Sequence, residues 1–157
     1  MFKDIKKKKR ELNKEDTIEV LIKGREGVLS TISENGYPYG LAVNYAYYNN
    51  CIYFHCSNNG HKLDDINLNN KVSFFVSSDV KVIPENFTTY YKSAVVFGHA
   101  SIVTDDEKRD AIIAIGKKYC ANYMKKGLNY IDKSLNNFTM VKIDIDHLTG
   151  KFSDGSN

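Results

Sequence analysis

The spacing of apolar positions changes several times along the chain, and each change marks an element. Ile18, Leu21 and Ile22 recur at helical spacing behind Asn13, which can cap a helix running to about Lys23, with Asp16 three positions on as in a capping box. Gly24 and Gly27 end that helix. Alternation then predicts strands over 27–33 (GVLSTIS) and 37–48 (YPYGLAVNYAYY), joined by a tight turn at Glu34-Asn35-Gly36. A two-residue hairpin at Asn49-Asn50 leads to a third strand, CIYFHCS over 51–57. Leu63, Ile66 and Leu68 restore the helical period as far as Asn69-Asn70. A fourth strand follows over 71–78, then a polar stretch 79–92 holding Pro84 that reads as a loop, then a fifth strand over 93–103 with a bulge at Gly98. Thr104 is placed to cap a helix carrying Ala111, Ile112, Ile115 and Tyr119, with Asp105, Asp106 and Glu107 at its positive end. A Lys- and Asn-rich connection leads to a sixth strand over 138–146. The expected fold is α+β and mainly β: a six-stranded antiparallel barrel with flanking helices.

Composition bounds this picture without changing it. The chain has 157 residues, 42% of them hydrophobic, which suits one domain with a sizeable core and excludes wholesale disorder. No apolar run approaches the ~18 residues of a membrane span, so no membrane partner is expected. Cys51, Cys56 and Cys120 form an odd set without a CxxC spacing, and no apolar signal core follows the first lysines. Reduced thiols and a cytoplasmic location are the expectation.

Charge is more informative by position than by sum. Lys3, Lys6, Lys7, Lys8, Lys9 and Arg10 against the single acid Asp4 give residues 1–10 a charge of +5, so a net charge of +3 leaves −2 for the remainder. The chain therefore reads as a basic leader over 1–12, a domain over 13–151 and a tail over 152–157. A nucleic-acid-binding domain clusters its cations on a folded face. Here they sit in the leader, which is read as a solvated tail, with a nucleic-acid arm as a third-ranked alternative.

The stretch YFHCSNNGHKLDDI, 53–66, carries the most chemistry. A strand ends, a polar turn with Gly60 follows, and a helix begins near His61-Lys62, where free N–H groups and the helix dipole attract anions. Lys62 is the only Lys or Arg between residues 50 and 70, and Ser57 and His61 add donors. Taken bare, these residues leave two readings open: a phosphate cradle, or an ordinary strand–turn–helix with a solvated lysine. No metal site is expected, because adjacent strand residues such as His55 and Cys56 diverge.

Across the chain an ordered set of segments stands out: KKKKRELN, GVLST at 27–31, NGYPY at 35–39, IYFH at 52–55, GHKL at 60–63, KVSF at 71–74, YKSAVVFG at 91–98 and IDHLTGK at 145–151. In this order the sequence resembles the FMN-binding split β-barrel superfamily related to pyridoxamine 5′-phosphate oxidase, and within it the nitroimidazole-resistance (Nim-like) branch. The resemblance implies a homodimer with FMN in a groove at the subunit interface. It places His55, Cys56, His61 and Lys62 at the ribityl phosphate, with Ser57 among the phosphate anchors. It places Val43 and Asn44 along the isoalloxazine within a strand lining it from Leu41 to Tyr45, and Ser93 near the ring. His55 is the implied acid/base residue, since nitro-group reduction consumes protons as well as electrons. His55 and Cys56 alternate along their strand, so only one of them is expected to point into a given pocket.

The oxidase's arginine in the second strand is missing from GLAVNY, its arginine-rich segment is replaced by Lys92-Ser93-Ala94-Val95, and the basic C-terminal residues are missing from KFSDGSN. The resemblance therefore implies an FMN-dependent oxidoreductase acting on a small oxidised molecule, such as a nitroaromatic, rather than on pyridoxamine phosphate. The alternative is a flavin- or haem-binding carrier or stress protein without turnover.

Overall fold

Asn13 opens the first helix as its side chain suggests: Oδ1 accepts the Asp16 N–H at 2.7 Å at the start of α1 (Lys14–Lys23). A short strand, β1 (Glu11–Leu12), precedes it. The computed structural model describes residues 2–155. After α1 come β2 (Gly27–Ile32), β3 (Pro38–Val43), β4 (Ala46–Tyr48) and β5 (Cys51–Cys56). Helix α2 (His61–Leu68) leads to the long hairpin β6 (Lys71–Ile83) and β7 (Thr88–Val103). Helices α3 (Asp105–Cys120) and α4 (Met124–Ser134) then precede β8 (Thr139–Ser153).

The strands form one antiparallel sheet in the order β3-β2-β6-β7-β8-β5-β4, with β1 added to β8. Eight strands replace the six expected, and the sheet is open rather than closed. The expected second strand is two strands, because Asn44 and Tyr45 leave the sheet between Val43 and Ala46. Tyr45 turns inward, fully buried, and its hydroxyl donates to the Leu21 carbonyl at 2.7 Å. The hairpin at Asn49-Asn50 forms as expected, with φ of 47° and 61°, and the bulge falls between Phe97 and Gly98.

Two stretches were hidden by their polarity. The expected loop 79–92 is a two-stranded arm in which Lys81–Ile83 pair with Thr88–Tyr90 beyond a register shift after Ser78. Val80 and Val82 are exposed there, so alternation was present without a buried face to make it legible. Pro84 occupies a 3₁₀ turn at the tip, where its missing donor costs nothing, and Phe87 closes the turn in left-handed backbone. The Lys- and Asn-rich connection is α4, held to α3 by the two-point Arg109–Asp132 pair and burying only Ile131. Thr104 occupies the cap position of α3, but its hydroxyl bonds the Asp105 carboxylate instead of a backbone amide.

The leader is not a detached tail. Glu11 and Leu12 pair with Lys151 and Gly150, and the Phe2 ring stacks on His147 at 4.8 Å. Expected tail residues Phe152 and Ser153 belong to β8, while Met1, Ser156 and Asn157 lie outside the described residues. Among the described residues no helix is long and apolar enough to cross a membrane.

The main core lies inside the curl of the sheet, where Leu29, Phe54, Phe74, Val96 and Ile143 meet Val20 and Leu21 of α1. A smaller cluster packs Ala111 and Ile115 of α3 on Tyr53 and Met140. The two ends of the strand order, β3 and β4, are consecutive in the chain with only Asn44-Tyr45 between them. The sheet must therefore curl until its edges meet at a seam that no ladder joins. Tyr119 of α3 bridges that seam: its hydroxyl donates to the Arg25 carbonyl and accepts the Tyr45 N–H at 3.1 Å. Beside it Lys118 Nζ finds no hydrogen-bond partner among the described residues and rests 3.6 Å from the Tyr45 ring centroid. Burial pushes the Lys118 pKa down to about 8. Tyr119→Phe should leave the fold intact but lower unfolding free energy in urea by about 1–3 kcal/mol, because it strands the Tyr45 amide. A loss much smaller than that would show that the seam is held by packing alone.

Candidate functional site

The seam opens into a cleft because β4 is short. It pairs with β5 only over Cys51–Tyr53, so Phe54–Cys56 have β8 on one side and no strand on the other. Strand β3 likewise pairs only with β2. The cleft between these free edges has a volume of about 500 Å³, within the range of small-molecule sites. Leu41, Ala42, Val43 and Asn44 form one side, and His55, Cys56 and Ser57 the other, with Lys62 and Glu26 at the ends. Leu41 and Val43 also pack against the main core, so this side presents an apolar strip beside unspent strand-edge N–H and C=O groups.

The Lys62 end is the N-terminus of α2. Gly60, the cap residue, has φ of 135° and contributes no capping side chain. No atom lies within 4 Å of where a Cβ would stand on it. The Leu63 and Asp64 amides both bond the Gly60 carbonyl, at 2.8 and 3.2 Å. The amides of His61 and Lys62 precede the first amide that bonds within the helix and sit at the positive end of the dipole. A second cleft of about 500 Å³ lies between α1 and β8. There Lys14 is offset by Glu11 and Asp146, and the helix end is already capped by Asn13. Of these two clefts, the seam cleft combines an uncapped helix start with a lysine and an apolar wall.

Of the residues expected in the site, Val43, Asn44, His55, Cys56, Ser57 and Lys62 line this cleft together. His55 and Cys56 both border it, against the expectation for strand neighbours, because the cleft straddles the end of β5 rather than one of its faces. Three expected positions lie elsewhere. His61 turns its ring onto Tyr39, at 4.1 Å between centroids, and its Nε2 lies 2.9 Å from Ser33 Oγ. Ser93 is buried in the β6–β7–β8 part of the sheet, and its hydroxyl donates to the Lys151 carbonyl at 3.4 Å. Tyr45 is in the core. Glu26 was not anticipated; it follows α1 in a Gly-flanked turn that carries no pattern of its own. Among the described residues no group of three His, Cys, Asp or Glu is placed to hold a metal ion.

His55 packs edge-to-face against Phe138, ring centroids 5.5 Å apart, and Phe138 is held by Lys108, whose Nζ donates to its carbonyl at 2.6 Å. This packing desolvates one side of an otherwise exposed imidazole and lowers its pKa below the ordinary 6.5. Burial raises the Cys56 thiol while nearby Lys62 opposes the shift, which leaves Cys56 a neutral thiol at neutral pH. Because the folded His55 takes its proton at lower pH than the unfolded chain, stability should fall as pH drops from 6.5 through the folded pKa. His55→Gln should flatten that part of the pH–stability curve. Phe138→Ala should return the His55 ring resonance, followed by NMR, to a titration near 6.5, and an unmoved midpoint would assign the shift to another contact.

Comparisons with known proteins agree with this architecture. A candidate 5-nitroimidazole antibiotic resistance protein from Bacteroides thetaiotaomicron superposes with a TM-score of 0.78 at 24% identity, over 90% of this chain and 86% of that one. A conserved hypothetical protein from Mycobacterium tuberculosis reaches 0.82 at 17% identity, over 97% and 92%. An FAD-binding protein from Mesorhizobium loti reaches 0.65 at 20%, over 92% and 98%. No curated protein matches the chain. The sequence model for pyridoxamine 5′-phosphate oxidase matches residues 13–152, nearly the whole of the described chain. The chain therefore belongs to the pyridoxamine 5′-phosphate oxidase family.

Proposed function

We propose that the chain is a flavoprotein that holds FMN in the seam cleft and serves as a reductase of small oxidised molecules such as nitroaromatics. The observation that carries this reading is the pairing, in one cleft, of an uncapped helix start bearing Lys62 with an apolar edge strand and a histidine. Lys62, the first amides of α2 and the Ser57 hydroxyl suit a phosphate dianion. Leu41 and Val43 suit a flat ring, whose polar rim can take up the strand-edge groups and the Asn44 amide. The likeness to an FAD-binding protein from Mesorhizobium loti supports the flavin, and one phosphate cradle in the cleft favours FMN.

When bound, FMN supplies the electron relay between a reduced nicotinamide donor and the acceptor. The chain's own part is to anchor, orient and protonate. His55 is neutral at neutral pH, with one ring edge in water, so it can take a proton from solvent and pass it across the cleft.

The reading also includes a homodimer. Val28, Phe75 and Val95 lie in register on the outer face of β2, β6 and β7, with Val28 and Phe75 38% and 42% exposed and Phe97 nearby. A second copy on that face would cover an apolar row and could bring its Ser93 to the ring, which Ser93 does not reach within one chain.

The purified protein should be yellow and should release FMN on denaturation; a colourless protein that ignores added FMN would falsify the reading. Lys62→Met should weaken FMN roughly tenfold or more, as loss of a phosphate-paired cation does, while leaving riboflavin affinity unchanged. His55→Gln should keep FMN but lose most of the nitroaromatic turnover supported by a nicotinamide donor. Colour without any such turnover in the parent protein would favour the carrier role instead.

A further inference from the structure

His61 begins the same helix as Lys62 yet faces the opposite way, and what it faces is an ordered polar cluster. Asp65, one turn on, has a side chain only 3% exposed. Its Oδ2 accepts the Thr31 hydroxyl at 2.6 Å and the Ser33 hydroxyl at 3.1 Å. His61 Nε2 lies 2.9 Å from Ser33 Oγ and 3.4 Å from Asp65 Oδ1. An Nε2–H tautomer donates to Ser33, whose own hydrogen then goes to Asp65. Thr31 is itself buried, at 1% exposure, and Tyr39 covers the far side of the His61 ring.

These contacts tie the first turn of α2 to β2 by directed bonds. Leu63 and Ile66 also press the helix onto the core, but apolar contact is non-directional and tolerates sliding and rotation. A buried carboxylate does not tolerate them, because any shift strands a charge. Asp65 is three residues from Lys62 and five from Gly60, so fixing its carboxylate fixes where the lysine and the first amides aim.

We propose that Asp65 is the positioning residue of the anion end of the cleft, acting through Thr31, Ser33 and His61, and that it sets the preference for phosphorylated over unphosphorylated flavin. This deepens the flavin reading and rests on it. Asp65 touches no ligand in this account; it holds the groups that do.

The test is the ratio of riboflavin to FMN dissociation constants, measured by flavin fluorescence on the full chain. Asp65→Asn should weaken FMN roughly tenfold, the low end of what losing the outer partner of a metal ligand does, and leave riboflavin within about twofold. The ratio would then fall toward one. Thermal melting of the flavin-free proteins checks that both are folded. Should Asp65→Asn not fold, Ser33→Ala decides by the same ratio, since it removes one partner while Thr31 still serves the carboxylate. A ratio unchanged from the parent overturns the proposal, whether the two affinities stay or fall together, since a purely structural residue moves both alike. A parent chain that binds FMN no better than riboflavin overturns the phosphate reading of the cleft itself, and the positioning role with it; the parent measurement alone separates the two failures.

Discussion

The constraint on which the rest of the molecule depends is the seam. A sheet whose first and last strands are neighbours in sequence must curl to bring its edges together, yet Asn44 and Tyr45 prevent those edges from pairing. Tyr45 leaves the sheet to bury its ring and bond Leu21, and Tyr119 supplies from a helix the hydrogen bonds that a ladder would have made. The gap that remains is the candidate site. Main-chain polarity that would be a liability on a fully exposed edge is here sheltered as the border of a cleft.

The borders of that cleft are built from different parts. The helix end offers a fixed positive field, supported from behind by the carboxylate of Asp65, whose Oδ2 accepts two neighbouring hydroxyls. The β5 side carries an imidazole that Phe138 keeps partly dry, with its pKa below the ordinary value. In the proposed reading, anion binding falls to the helix start and proton handling to the imidazole, and both border the same slot as Leu41 and Val43.

Much of this was legible in the sequence, for identifiable reasons. The Asn13 cap, the Asn49-Asn50 turn and the break in the ladder beside Gly98 are local signals that the structure bears out, whereas Thr104 takes the cap position without the capping bond. Lys62 stood out because no other cation was near it. The arm over 79–92 was missed because its alternation has no buried face, and helix α4 because Lys and Asn crowd out the sparse stripe of Met124, Leu128 and Ile131. The break at Asn44–Tyr45 has no local signal at all; it follows from a bond to Leu21 more than twenty residues away. His61 was misplaced for the same reason. Its partners Ser33 and Tyr39 lie on other strands, and no spacing within α2 distinguishes the face toward the cleft from the face toward β2.

Strand β8 pairs with β7, β5 and β1, so the last strand in the chain stands near the middle of the sheet. A chain emerging from the ribosome can form the β2–β3 and β6–β7 hairpins as it appears, but it cannot join β5 to them until residues 139–153 arrive. The two walls of the cleft therefore come together in a late, high-contact-order step. Until then β5 waits with an apolar strand exposed, and the nascent chain is more vulnerable than the finished protein.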